Sequence, residues 1–210
     1  MKRFQQYRMA LMGAAIVLCT GTALASGYDE SVNGDLANTA AAEGSLTLSY
    51  DSLHGALGSN PISGTFGVQS GVNDRDFLKF IVPDGYQLSA LIIGANTVTG
   101  GEFSFIALAA GSGTGLPSFD PSMLLGYSHF RSSDVDEDVL PAMSIAGGTQ
   151  QFTVPLAAGT YTLWLQETST GVFGYQANLM LTPVPEPGNA VLLLTGLLAG
   201  LPVLRRRRKA

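Results

Sequence analysis

A chain of 210 residues, 46% hydrophobic, with one cysteine and a formal charge of −5, is long enough for one domain with a sizeable core. The charge is unevenly spread: residues 26–183 hold fifteen acids against Arg75, Lys79 and Arg131, a net of −12. Such a segment repels nucleic-acid phosphates, and a single Cys19 supplies neither a disulfide framework nor a thiolate metal site.

The first eight residues carry Lys2, Arg3 and Arg8 and no acid, an apolar run spans 9–18, and Ala23-Leu24-Ala25 follows. A basic flank, a short apolar core and a small-x-small end make a secretory signal peptide. Ala23 and Ala25 suit the small pockets of a signal peptidase, so cleavage is expected before Ser26. Leu18 precedes Cys19 where a lipoprotein site needs a small residue. The expected partners at this end are signal peptidase and the secretion machinery, and the expected destination is outside the cytoplasm.

Residues 29–43 admit one short helix around 36–42. From there the pattern is of strands. Residues 45–50 and 62–68 alternate, and 76–82 sets Phe77, Lys79 and Ile81 against Leu78, Phe80 and Val82. Further strands are expected at 86–93, 103–107, 123–127, 151–154, 159–166 and 175–181, separated by Gly, Asn, Asp, Ser and Pro. Residues 109–122 and 129–149 read as long loops. Eight or nine short strands without a long helical period predict an all-β, antiparallel β-sandwich, jelly-roll-like, over 26–183.

Two short stretches carry a family resemblance. Asn73-Asp74-Arg75-Asp76-Phe77 leads into a strand ending Val82-Pro83-Asp84-Gly85, and Leu156-Ala157-Ala158-Gly159-Thr160-Tyr161 leads into a late strand. This resembles the bacterial pre-peptidase C-terminal (PPC-like) β-sandwich. The resemblance implies a jelly roll that accompanies secreted enzymes as an accessory module, in some cases with calcium.

The C-terminus is tripartite. Val184-Pro185-Glu186-Pro187-Gly188 comes first, an uncharged apolar run fills 190–204, and four arginines and Lys209 close the chain. A helix of fifteen residues reaches about 22 Å, short of a ~30 Å hydrocarbon core unless it starts near Pro187 and the arginines snorkel. The order of these features resembles the PEP-CTERM sorting signal, with Pro185, Glu186 and Pro187 as its triplet. That resemblance implies a transmembrane sorting helix, an exosortase-like membrane enzyme as partner, and a setting in which polysaccharide is exported.

Several residues are candidates for chemistry. Asp74 and Asp76, two apart where a strand begins, can offer oxygens to calcium, and Asp134, Asp136, Glu137 and Asp138 form a second acidic cluster. Val139 breaks the EF-hand pattern there. Trp164 is a sugar-stacking platform if it faces outward, and core if it does not. His54 and His129 are the only histidines, with neither a G-x-S-x-G elbow nor H-E-x-x-H to organise them. Glu102 with Glu167 is a carboxylate pair for glycoside hydrolysis in composition only. No catalytic residue and no obligatory cofactor is expected.

The leading expectation is a structural or adhesive protein of the cell envelope or extracellular matrix, sorted through its C-terminal motif and membrane-held at least transiently. The alternative is a carbohydrate- or calcium-binding accessory module. A secreted hydrolase ranks third.

Overall fold

Period-two alternation places apolar side chains on one face of successive strands, and the chain folds accordingly into β-structure. The computed structural model describes residues 27–40, 44–50, 58–116 and 120–185. In chain order the elements are β1 (Tyr28–Asp29), α1 (Glu30–Asn33), β2 (Gly44–Thr47), β3 (Ser59–Gln69), β4 (Val72–Val82), β5 (Tyr86–Ile93), β6 (Ser104–Ala110), β7 (Gly126–Phe130), α2 (Leu140–Ser144), β8 (Gly159–Gln166) and β9 (Phe173–Pro183).

The main path of strands is β5-β9-β3-β4-β8-β6-β7, all antiparallel neighbours. It is one curled sheet, consistent with a β-sandwich. The bend lies in the β3–β4 hairpin. Ser70 (φ 52°) and Gly71 (φ 78°) form its tip, the left-handed pair that a tight hairpin with native twist requires. Only three residue pairs join the two strands, Gly67 with Asp74, Val68 with Asn73 and Gln69 with Val72. Beyond them the strands part into two layers. The edges left open are taken by short parallel strands: β1 beside β3, and β2 beside β4.

Between the layers lies the main core. Leu78, Phe80 and Val82 of β4, Leu163 and Leu165 of β8, and Leu179 and Leu181 of β9 are all buried there. A second, smaller cluster sits on the opposite face of β4, β6 and β8, where Phe77, Ala107 and Trp164 are covered by Ala40, Leu116 and Leu124.

Several expectations need correction. The helix around 36–42 is absent from 36–39, and helix forms instead at α1, where the Asp29 side chain accepts from Ser31 N at 2.9 Å. Residues 151–154 form no strand. Phe152 N donates to Ser144 O at 3.3 Å, and Leu156 exchanges backbone bonds with Leu88 at 2.9 Å. The strand expected at 123–127 is displaced to β7 because Asp120 caps a 3-10 turn at Pro121–Met123.

The largest correction concerns the membrane. Among the described residues no helix is long and apolar enough to cross one. The longest, α2, has five residues and rises only about 7.5 Å. The expected C-terminal transmembrane sorting helix, the membrane-held localisation and the sorted structural or adhesive role built on it therefore find no support among the described residues. The run 190–204, Glu186, Pro187 and the residues Ala23, Ala25 and Ser26 lie outside the described residues; Pro185 is exposed after β9.

Candidate metal centre

Alternation along β4 puts Asp76 in phase with Leu78, Phe80 and Val82, so its carboxylate enters the core-facing row. Asp76 is 0% exposed. Among the described residues neither of its carboxylate oxygens has a hydrogen-bond partner, which is costly for a charge held away from water.

Three other acids converge on it. The β1–β3 pairing sets Tyr28 and Asp29 beside Ile62 and Ser63, which delivers Glu30 to the middle of β3. There Glu30 Oε2 accepts from Thr65 N at 2.7 Å, and Oε1 accepts from Leu36 N at 3.2 Å and from the Tyr175 hydroxyl at 3.4 Å. Gly34 (φ 92°) then turns the chain so that Asp35 faces the same point. Glu30, Asp35 and Asp76 each offer an oxygen within 4.8 Å of the others. Asp74, two residues back on β4, is half-buried beside them.

Gly64 keeps the space open. It pairs with Tyr175 across β3 and β9, and a Cβ there would collide with the Glu30 carboxylate and the Tyr175 hydroxyl. A hollow of about 500 Å³, lined in part by Glu30, Asp35, Gly64, Thr65 and Tyr175, leads from the acids to the surface.

The electrostatics follow from the crowding. Burial first, then Glu30 and Asp74, push the Asp76 carboxyl up to about 9, and the Tyr175 hydroxyl offsets this only in part. Burial raises Glu30 as well, against the two backbone N–H groups that lower it. Burial and then Asp35 raise Asp74. Tyr175 is held well above its ordinary value by burial and by Asp76 and Glu30. The charges that act on Asp76 are therefore all negative.

Oxygens around one calcium ion at 2.3–2.6 Å lie up to about 5 Å apart, and the triad fits that limit. Its donors are all carboxylate oxygens, which suits a hard cation; the nitrogen and sulfur ligands favoured by zinc are missing from it.

Of the residues singled out in the sequence, Asp74 and Asp76 both lie at this centre. Glu30, Asp35, Tyr175 and Gly64 went unnoticed. In the second acidic cluster, Asp134 and Asp138 are spent on backbone donors of their own loop and of β5. Asp134 Oδ2 accepts from Arg131 N at 2.9 Å, and Asp138 Oδ1 accepts from Leu91 N at 2.9 Å and Leu140 N at 3.0 Å. Glu102 meets Arg131 at 3.5 Å on the surface. Burial raises Glu167, but donors from Ser169 N, Ser104 Oγ and Gly100 N outweigh it and hold it below its ordinary value, as befits a loop anchor. His129 packs edge-on against Phe103, Phe105 and Tyr127, and His54 lies outside the described residues. Trp164 faces away from the main core yet is only 7% exposed, stacked on Phe77 at 5.5 Å. It is a wall, not an open platform.

Comparison with family models, curated proteins and solved structures finds no match to the chain.

Proposed function

We propose that the domain is a divalent-cation-binding module, with calcium as the cation, and that the ion clamps residues 28–36 onto β3, β4 and β9. One observation carries the reading: the Asp76 carboxylate is fully buried, has no hydrogen-bond partner among the described residues and faces Glu30 and Asp35. A cation at that point supplies the missing counter-charge. It also converts a mutual repulsion of acids into a shared set of ligands. Glu30 and Asp35 come from the N-terminal segment and Asp76 from the sheet, so the ion joins pieces that the backbone pairs only at Tyr28 and Asp29.

Isothermal titration of the chelator-treated protein with calcium chloride tests this, with thermal melting as a second readout. Saturable binding near one ion per chain is expected. At a hundredfold excess over Kd the ion should add about 2.7 kcal/mol of stability. No binding heat, together with identical melting in calcium and in EDTA, would overturn the proposal.

A further inference from the structure

On the far side of β4, β6 and β8 a second cavity is built from different chemistry. It measures about 410 Å³ and is lined chiefly by Phe105, Tyr127, His129 and Trp164, with Gln166 and Thr168 among its polar residues. Strand register assembles it. Phe105 pairs with both His129 and Gln166, and Ala107 pairs with both Tyr127 and Trp164, so three neighbouring strands present their side chains to one face. Ala107 carries only a methyl group between the two larger rings. Phe105 lies edge-on to Trp164 at 4.9 Å and stacks beside Tyr127 at 5.9 Å.

Two properties narrow the occupant. The lining contains no Asp, Glu, Lys or Arg, although the domain around it is strongly acidic. Arg131, beside the cavity, lies over Phe103 at 4.2 Å and is paired with Glu102, and Arg75, opposite Gln166 across β4 and β8, is not part of the lining. The second property is a polar edge of Gln166 and Thr168 beside the rings; the Trp164 indole N–H itself is buried and without an acceptor among the described residues. Trp is donor-only, and a buried N–H normally finds an oxygen. The cavity thus offers ring faces, a side-chain amide and a hydroxyl, and no acidic or basic side chain.

We infer that this cleft binds an uncharged pyranose. Its apolar C–H face would lie on Tyr127 and Phe105, and its hydroxyl groups would bond to the Gln166 amide and the Thr168 hydroxyl. A sugar ring has both surfaces in one molecule, and the volume lies within the range of small-ligand pockets. The site is independent of the carboxylate centre, since none of its residues is shared with Glu30, Asp35, Asp74 or Asp76.

Trp164 is the only tryptophan in the chain, so its emission reports on this cleft alone. The full chain would be titrated with glucose, galactose, mannose, N-acetylglucosamine and cellobiose, with glucuronate as the charged comparator, each with and without EDTA. At least one neutral sugar should shift the emission saturably, glucuronate should not, and EDTA should make no difference. Tyr127→Ala should weaken binding about tenfold, the loss of one stacking ring. The exposed His129→Ala, with a smaller loss, serves if the first variant does not fold. The inference is overturned if no neutral sugar gives a saturable response, or if glucuronate matches the best of them. It also fails if the folded variants bind like the parent, or if EDTA abolishes the response, since the sugar would then sit on the cation.

Discussion

Asp76, rooted on the core-facing side of β4, and Glu30, in the first turn of α1, bring carboxylate oxygens within 4.8 Å of each other with Asp35 as the third member. Glu30 has backbone donors; among the described residues Asp76 has none. Their relationship predicts a substitution with two opposite effects. Asp76→Asn keeps the shape and removes a carboxyl group that the cation-free fold must hold protonated, at a cost that rises with pH. In EDTA at about pH 8 the variant should be more stable than the parent, by about 1–3 kcal/mol. In calcium the order should reverse, because the variant has lost its central ligand. Urea unfolding in the two buffers checks both signs; a variant that is less stable in EDTA contradicts the account.

Stability without a cation should depend on pH in a defined sense. The folded chain holds a proton on Asp76 up to about pH 9, while an unfolded aspartate releases it near the ordinary value of 3.8. Stability is therefore full below that ordinary value and falls as pH climbs through the interval towards 9, by at most about 1.4 kcal/mol per pH unit. The upward shifts of Glu30 and Asp74 act in the same direction at the acid end. Urea midpoints measured in EDTA between about pH 5 and pH 8 should decrease steadily. Calcium affinity should increase over the same range, since the ion displaces the proton. A midpoint that rises with pH in EDTA is the adverse result.

Gly64 offers a test that leaves every acid in place. A methyl group there occupies the space between Glu30 and Tyr175, so Gly64→Ala should displace one ligand or the tyrosine. Calcium affinity should fall at least tenfold, a change of about 1.4 kcal/mol, with the strand content unaltered. Calorimetry with calcium and far-UV circular dichroism together decide it. Unchanged affinity would show that the space is not part of the site.

Asn60 makes a prediction about the scaffold alone. It is 0% exposed; its Nδ2 lies 2.8 Å from Gly58 O and 3.1 Å from both Ser49 O and Leu179 O, and its Oδ1 accepts from Ser49 N at 2.8 Å. The side chain thus ties the segment after β2 to β3 and β9. Asn60→Ala leaves several buried backbone groups without partners and should cost about 3 kcal/mol. Denaturant unfolding measures it, and a loss below about 1 kcal/mol would contradict the role assigned to the amide.

The strands could be read from the sequence because alternation is a local signal. β4, β5, β8 and β9 fall close to where Leu78-Phe80-Val82 and its counterparts place them. β1 could not, since two residues carry no period and Tyr28 is a strand only by virtue of Ile62. The candidate site divides the same way. Asp74 and Asp76 stand out as neighbours in sequence, whereas Glu30 and Asp35 reach them through a parallel pairing that spans the whole of β2. One signal was present and overlooked: extending the apolar row of β4 backwards from Val82 arrives at Asp76, a carboxylate on the wrong face. Trp164 illustrates the limit of alternation, which groups it with Thr162 and Gln166 but leaves open which face points inward, and says nothing of the Leu116 and Leu124 cover laid over it.

The parting of β3 from β4 also sets a direction. Gly27 lies against Pro61, and Met180 of β9 stands opposite Ser59, so the chain passes in and out of the domain at the end of β3 farthest from the hairpin tip. Asp76 and Gln166 lie in the hairpin half, where β4 and β8 pair Arg75 with Gln166 and Asp76 with Leu165. A tether, a fusion partner or an immobilising tag attached before residue 27 or after residue 185 would therefore hold the domain by its base, close to Glu30 and the carboxylate centre beside the middle of β3, and would leave the aromatic cleft around Gln166 towards the other end.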